Sequence, residues 1–474
     1  MIRLGGRPAA PVSQRARSDL LPRPKARRIR LAFASLYTYS LFNPSTRYVF
    51  GGSEVRAWLL GTALSEQPEF DVSFVVFDHG QPRERYGRVT VYPHSFYRGE
   101  RSRNGSPPMP YQTRAERYWG EIPSIARRVS GFPGVELLDR SPAALWKLAY
   151  GLGYARTAKA LSAARRLVYP PLDAAGVAVE RKRVATYRRV DADVYCVFGV
   201  SDFSAELAAF CRARGKRLVV FLASDLDVSR DYVRHSQQRN MYGSTGHSGW
   251  FTLSSADVIV AQTAVQARML RERHGREAVV IGNPVELDRL APPFQGRADG
   301  QRHALWIGKS DRIKQPDVLL ELAERCPEVP FLAVLNRSNV ALFDEIATRR
   351  PPNVELVEHV PIREVEALFA GAFAFINTSS FEGFPNTYLQ AGKYGVPILS
   401  LGVDPDGFVR RYRCGVVTDG DVGALAVALR ELRASPSLAA EYSANVRSYV
   451  RQFHDLHGRV ADVRSVLCAL CGTG

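Results

Sequence analysis

Short, nearly unbroken apolar runs alternate along this chain with longer segments in which apolar residues recur every three or four positions. The first run starts at Arg30 and carries Leu31, Ala32, Phe33 and Ala34, a pattern that suits a strand buried on both faces. After a loop comes Gly51-Gly52-Ser53-Glu54, which opens a segment from Val55 to Leu64 with Val55, Trp58, Leu59 and Thr62 on one helical face. Asp71–Phe77 is the next run. Strand, glycine turn, helix and strand make a right-handed βαβ unit. The rhythm resumes with runs at 193–198, 217–223, 256–261 and 278–281 and ends at Gly282-Asn283-Pro284-Val285, which reads as a hinge. A second series follows at 304–307, 331–335, 354–357, 372–376 and 397–401. Helices are predicted to begin near Pro316, Ala341, Arg363, Asn386 and Val422, and 439–470 reads as largely helical. The pattern predicts two doubly wound α/β domains facing each other across a cleft, with ligands at the carboxyl ends of the strands.

Residues 80–190 break the rhythm and read as an insertion rich in Tyr, Arg and Pro. Within it, Ala143–Tyr169 has helical spacing, with Leu145, Trp146, Leu148, Leu152 and Leu161 set among Lys147, Arg156, Lys159, Arg165 and Arg166. Such a basic amphipathic helix can lie in a lipid headgroup layer, but its pattern is first that of an ordinary packed helix with a charged outer face. Composition is that of a globular chain of 474 residues, 46% hydrophobic and 23% charged. No run nears the roughly 18 apolar residues needed to cross a bilayer. Six Cys are too few for a disulfide framework, so a reducing cytoplasm is the expected setting. The net charge is +17, but it is not evenly spread. Residues 1–200 hold 32 Lys/Arg against 16 Asp/Glu, whereas 201–474 hold 32 against 31. That asymmetry points to an anionic partner for the first half, or to a solubility field plus a floppy tail. An anionic membrane surface at the inner face of the membrane is expected as a partner. Nucleic acid is not, because no recognition motif accompanies the charge.

Two loops concentrate the chemistry. The stretch Ile376-Asn-Thr-Ser-Ser-Phe-Glu382-Gly383-Phe384-Pro385-Asn386-Thr387 leads from a strand through a loop into a helix. Gly383 lets backbone approach a ligand, and a helix start near Asn386 offers free N–H groups at a positive dipole end, where a phosphate fits. Glu382 can accept hydrogen bonds from sugar hydroxyls, and Gln390 lies about one turn into the same helix. The other loop, Gly308-Lys309-Ser-Asp-Arg312-Ile-Lys314, crowds three cations after a strand. Two of them on the cleft side would neutralise a diphosphate without a metal and stabilise its departure. Taken alone, the same loop reads as a solvated turn.

Together these features resemble glycosyltransferase family 4, the retaining enzymes of the GT-B fold. The resemblance rests on Gly51-Gly52, on Gly308-Lys309 with Lys314, on Asn283-Pro284 and on Glu382-Gly383-Phe384-Pro385-Asn386, and it spans roughly 30–470 apart from the insertion. It implies that Lys309 and Lys314 grip the diphosphate of a nucleotide-sugar donor and that Glu382 holds the sugar. The segment Gly383, Phe384, Pro385, Asn386 and Thr387 would cradle phosphate and sugar, and Gly51 and Gly52 would approach from the opposite domain. Three positions depart from the family pattern. Lys309 stands where Arg is usual, exchanging a bidentate fork for a point charge. Gln390 stands where a second Glu meets the ribose, and its amide can still hydrogen-bond there. Ala223-Ser224-Asp225 stands where a His often contacts the transferred sugar, so Asp225 is expected to take part of that role.

The expected domains are a disordered basic tail (1–28), an acceptor-side domain (29–283) and a nucleotide-sugar domain (284–449). A last helix (450–474) is expected to pack back on the first domain. No cofactor or metal is expected, since Lys309 and Lys314 supply the positive charge. Of three Asp-x-Asp pairs, Asp191/Asp193 precedes a strand, the wrong end for a ligand, whereas Asp225/Asp227 and Asp404/Asp406 follow strands and are the conceivable metal ligands. Cys468-Ala-Leu-Cys471 reads as an apolar helix face. The expected acceptor is a glycan or lipid-linked glycan. A non-catalytic carbohydrate or nucleotide binder, a basic nucleic-acid binder and a sugar-nucleotide epimerase of the same fold remain as alternatives.

Overall fold

The computed structural model describes residues 28–46, 51–98, 184–288, 302–360 and 362–472. The basic tail and the amphipathic segment 143–169 lie outside the described residues, except Arg28. Two parallel sheets carry the architecture. The first has strands β1 (Ile29–Ala34), β2 (Phe70–Asp78), β3 (Glu84–Tyr86), β4 (Val89–Arg98), β5 (Val194–Phe198), β6 (Arg217–Phe221), β7 (Val258–Ala261) and β8 (Val279–Val280). Their spatial order is β3-β4-β2-β1-β5-β6-β7-β8, and only β3 runs antiparallel to its neighbour. The second has β9 (His303–Lys309), β10 (Phe331–Asn336), β11 (Val354–Val357), β12 (Ala372–Asn377), β13 (Ile398–Ser400) and β14 (Gly415–Val417). Its order is β11-β10-β9-β12-β13-β14, all parallel.

Both orders reverse direction once, between β1 and β5 and between β9 and β12. At such a switch point the flanking loops diverge and leave a crevice at the carboxyl edge. Each sheet buries both faces. Ala32, Val197 and Val220 belong to one cluster of the first domain and Phe33, Phe74 and Phe221 to the other. Helices cover these faces, including α1 (Gly52–Ser65), α2 (Asp202–Arg214), α3 (Gly246–Ser255) and α4 (Ala264–His274) in the first domain. In the second they include α5 (Pro316–Arg325), α6 (Val340–Arg349), α7 (Ile362–Gly371), α8 (Asn386–Tyr394) and α9 (Val422–Ala434).

The structure corrects the sequence reading in several places. Residues 84–98, read as irregular insertion, form β3 and β4 of the first sheet, and 185–190 form a short helix packed on β4. Val89 and Val91 are buried while Thr90 and Tyr92 are half-buried, an alternation masked by its polar and aromatic members. Helix α3 fills a stretch without an assigned element, and β14 was too short to stand out. The terminal helix is two helices, α10 (Pro436–His454) and α11 (Leu456–Cys471), broken at Asp455.

That break is where the chain returns between domains. Val446, Tyr449 and Val450 of α10 sit in the second domain's core, and Val460, Val463 and Leu467 of α11 in the first domain's. The two crossings lie side by side, because the Val285 N–H donates to the His454 carbonyl at 2.8 Å and the Leu456 N–H to the Val285 carbonyl at 3.1 Å. Arg464 pairs with Glu69 beyond the joint. His454 is buried and lies 2.8 Å from the Asn283 carbonyl through Nδ1, so that nitrogen carries the proton. Burial pulls its pKa down to about 4, outweighing the hydrogen bond.

The unfolded chain therefore takes up a proton near pH 6.5 that the folded one refuses until about 4, so this group lowers stability as pH falls through that window. Its full contribution is at most about 3 kcal/mol. Denaturant midpoints measured at pH 7 and pH 5 should fall further in the native protein than in His454→Gln. Equal pH dependence in the two proteins would contradict this account of the joint.

Candidate functional site

The two loops at the second switch point are bolted together by short polar contacts. Asp311 Oδ1 accepts from the Lys314 N–H at 3.0 Å, closing a turn, and Gln315 ends it in the left-handed region at φ 46°. The Thr378 hydroxyl, which receives the buried Trp306 indole N–H at 2.9 Å, donates to the Lys314 carbonyl at 2.7 Å. The Ser380 N–H reaches the Ile313 carbonyl at 2.8 Å. With the backbones so fixed, Lys314 Nζ stands 2.8 Å from Glu382 Oε1, both side chains about one-fifth exposed. Glu382 Oε1 also receives the Ser379 hydroxyl at 2.8 Å and lies 3.4 Å from Asn377 Nδ2. Among the described residues these partners all converge on Oε1, which leaves Oε2 for a ligand. Arg312, the third cation of the loop, is exposed.

A second group gathers where the domains meet. Helix α8 begins after Pro385 (φ −64°, ψ 120°), and the N–H groups of Asn386 and Thr387 precede any intrahelical acceptor. Opposite stands the start of α1. Asn386 Nδ2 donates to the Gly52 carbonyl at 2.9 Å, and a Cβ at Gly52 would lie 3.0 Å from the same nitrogen. A Cβ at Gly51 would lie 3.8 Å from Lys309 Nζ. Two positive helix ends and an ammonium thus border one space, an arrangement suited to an anion. Glu54 offsets part of this charge by accepting from the Gly51 N–H at 2.7 Å. Arg56 fixes α1 from below. It is buried, lies over the Phe221 ring at 5.1 Å, and donates to the carbonyls of Leu222 (3.0 Å) and Ile281 (2.9 Å). Burial pulls its pKa down to about 9.

Between these groups runs a chain of side-chain amides. Asn283 Nδ2 donates to Asn386 Oδ1 at 2.8 Å, and Gln262 Nε2 donates to Asn283 Oδ1 at 3.0 Å. Gln266 Nε2 lies 3.3 Å from Gln262 Oε1 and 3.0 Å from Asp225 Oδ1. Gly383 rests on this chain: a Cβ there would collide with Gln262 Oε1 and lie 2.7 Å from Gln266 Nε2. Burial raises the Asp225 carboxyl above its usual range despite the Gln266 bond. Asp225 is therefore joined to the Glu382–Gly383 loop through Gln266.

The other expected residues divide. Phe384 turns into the core, where its ring lies 4.6 Å from His454 and 5.4 Å from Phe408, so any ligand contact it makes is through backbone. Pro385 is buried, and Thr387 and Gln390 are half-buried on α8. Asp191 and Asp193 sit at the opposite edge with Arg30 and Lys216. Asp227 is buried and accepts the N–H groups of Ala223, Ser224 and Val200, with burial pushing it up to about 6. Asp404 accepts the Val409 N–H, and Asp406 caps α4 from the other domain by accepting from Ala264 (2.8 Å) and Val265 (2.9 Å). Asn283, Gln262, Gln266 and Arg56 were missed as site residues. Gln262 and Gln266, four apart at the start of a helix, were the legible signal.

Residues 301–435 match the family model described as Glycosyl transferases group 1. Over nearly the whole chain the fold is similar to sucrose-phosphate synthase of Thermosynechococcus elongatus, at a TM-score of 0.63 and 14% identity, covering 94% of this chain and 100% of that one. It is also similar to HepE of Anabaena, solved in complex with UDP-glucose, at 0.58 and 12% identity, covering 93% and 100%. With the two Rossmann-like sheets described above, these likenesses show the GT-B fold.

The contact under Gly383 leaves no room for a methyl group. Gly383→Ala should cost about 1–3 kcal/mol, read as a lower denaturant midpoint. Gly402→Ala, where nothing lies within 4 Å, should leave the midpoint in place. Equal midpoints for both variants would contradict the packing described.

Proposed function

We propose that this chain is a metal-independent, retaining glycosyltransferase of family 4 type, moving a hexose from a nucleotide-sugar donor to a glycan or lipid-linked glycan acceptor. The observation that carries the reading is the 2.8 Å approach of Lys314 Nζ to Glu382 Oε1 at the switch point, beside the paired helix starts and Lys309. In this reading the donor diphosphate lies between Lys309, Lys314 and the N–H groups of Asn386 and Thr387, close to the Gly51-Gly52 turn. Glu382 Oε2 accepts from the sugar hydroxyls, and the Gln390 amide takes a ribose hydroxyl. Asp225, through Gln266, borders the side from which the sugar is approached.

The reaction breaks the bond from the anomeric carbon to the β-phosphate oxygen and forms one to the acceptor oxygen on the same face. The acceptor proton passes to the departing phosphate oxygen. Charge grows on that phosphate in the transition state, and the two ammonium groups and helix dipoles stabilise it. The two domains exclude water that would otherwise hydrolyse the donor. The basic first half suits an acceptor presented at an anionic membrane surface. Among the described residues no helix is long and apolar enough to cross a membrane.

Isothermal calorimetry with UDP, GDP and ADP should show binding of at least one, and Lys314→Ala should weaken it about tenfold or more. If none of the three binds, the reading fails. In a panel of sugar nucleotides, Glu382→Ala should cut release of the nucleotide by roughly a hundredfold. Turnover should persist in EDTA, whereas a requirement for Mn²⁺ or Mg²⁺ would overturn metal independence.

A further inference from the structure

One turn at the rim of the first domain is built with unusual care and ends in exposed apolar side chains. Residues Arg239 to Thr245 close through an antiparallel bridge between those two residues. The Asn240 N–H donates to the Ser244 carbonyl and the Gly243 N–H to the Asn240 carbonyl, both at 2.9 Å. Asn240 Oδ1 accepts the N–H groups of Tyr242 and Ser244, each at 3.0 Å, and its Nδ2 donates to the buried Tyr232 hydroxyl at 3.1 Å. Gly243 supplies the left-handed residue at φ 78°. The base is tied to the first residue of α2. The Asp202 N–H donates to Ser244 Oγ and the Thr245 N–H to Asp202 Oδ1, both at 3.1 Å. Asp202 follows β5, so the turn stands on the carboxyl edge of the first sheet, beside its switch point.

So many bonds order the turn, yet its tip leaves more than half of its apolar side-chain surface in solvent. Met241 and Tyr242 are 60% and 56% exposed, the two most exposed large apolar side chains among the described residues. The position of the ring accounts for the display. Partial burial, then the negative charges of Asp227, Asp311 and Glu382, raise the Tyr242 phenol above its usual range. Asp227 belongs to the first domain, and Asp311 and Glu382 to the lysine loop and sugar loop of the second. The geometry places the turn on the same side: Asn240 bonds Tyr232, four residues past the Asp225–Val228 turn whose Asp225 meets Gln266.

We propose that Tyr242, with Met241 beside it, is the platform on which the acceptor's pyranose ring stacks. A pyranose is recognised by this chemistry: the apolar C–H face of the ring lies on an aromatic plane while its hydroxyls reach carboxylates at the edge. Glu382 and the proposed donor site lie on the second-domain side, whereas Tyr242 is carried by the first domain at the carboxyl edge of its sheet. This inference rests on the proposed transferase reading, and it names a residue that selects the acceptor without holding the donor.

The test uses the full chain and two kinds of probe. UDP, GDP and ADP report the donor side by calorimetry, and octyl β-glucoside, β-galactoside and β-mannoside report the acceptor side by saturation-transfer NMR. Tyr242→Ala should weaken binding of the octyl pyranosides roughly tenfold and leave diphosphate affinity unchanged, whereas Tyr242→Phe should keep both. Unchanged thermal unfolding of the variants shows that the turn still folds; if Tyr242→Ala unfolds it, Tyr242→Leu, which keeps bulk but not the aromatic plane, gives the same prediction. Pyranoside affinity indifferent to Tyr242, no pyranoside binding to the native protein, or an equal loss of diphosphate affinity would overturn the proposal. Diphosphate binding that persists in any of these outcomes leaves the donor reading standing, which separates the two failures.

Discussion

Lys314 and Glu382 lie 68 residues apart and meet only because two loops are clamped at the carboxyl edge of the second sheet. The clamp is the Thr378 hydroxyl on the Lys314 carbonyl, with Trp306 behind it and the Ser380 N–H on Ile313 in front. Both side chains are only about one-fifth exposed, so their desolvation offsets much of the pair's attraction. Its importance is therefore not stability. The pair holds a cation and a carboxylate in fixed positions, half-buried, where a ligand's phosphate and hydroxyls can each find an opposite partner at little reorganisation cost.

The remainder of the molecule holds the first domain against that edge. The contact is made by neutral amides and backbone groups. Asn386 reaches Gly52, Asn283 reaches Asn386, and Gln262 and Gln266 pass the contact to Asp225. Neutral partners leave the neighbouring charges of Lys309, Lys314 and Glu382 unmatched by the interface itself. Two chain crossings, at Asn283–Val285 and His454–Leu456, run beside this network, so the joint and the site share residues. Asp406 adds a charge from the second domain to the start of α4 in the first.

The α/β architecture was legible because buried parallel strands leave apolar runs, and the runs at 304–307 and 372–376 carried it clearly. Strands whose outer face is aromatic or polar, such as Val89–Arg98, lose that contrast and disappear into an irregular stretch. The Lys314 and Glu382 loops were legible because charge, glycine and proline crowd a few positions after a strand. The amide chain was not. Asn and Gln are ordinary surface residues, and only the tertiary approach of Gly383 to Gln262 and Gln266 gives these a role. The Phe384 ring fills the core between His454 and Phe408, which leaves the cradling role that the resemblance implies to its backbone N–H. Tyr242 lay in a stretch without periodicity and gained meaning only from the turn that presents it.

A structure of the full chain with a nucleoside diphosphate bound addresses the central claim most directly. The account places the pyrophosphate between Lys309, Lys314 and the start of α8, with phosphate oxygens at hydrogen-bond distance from Lys314 Nζ and from the Asn386 or Thr387 N–H. A nucleotide seated elsewhere, with Lys314 untouched, would contradict it.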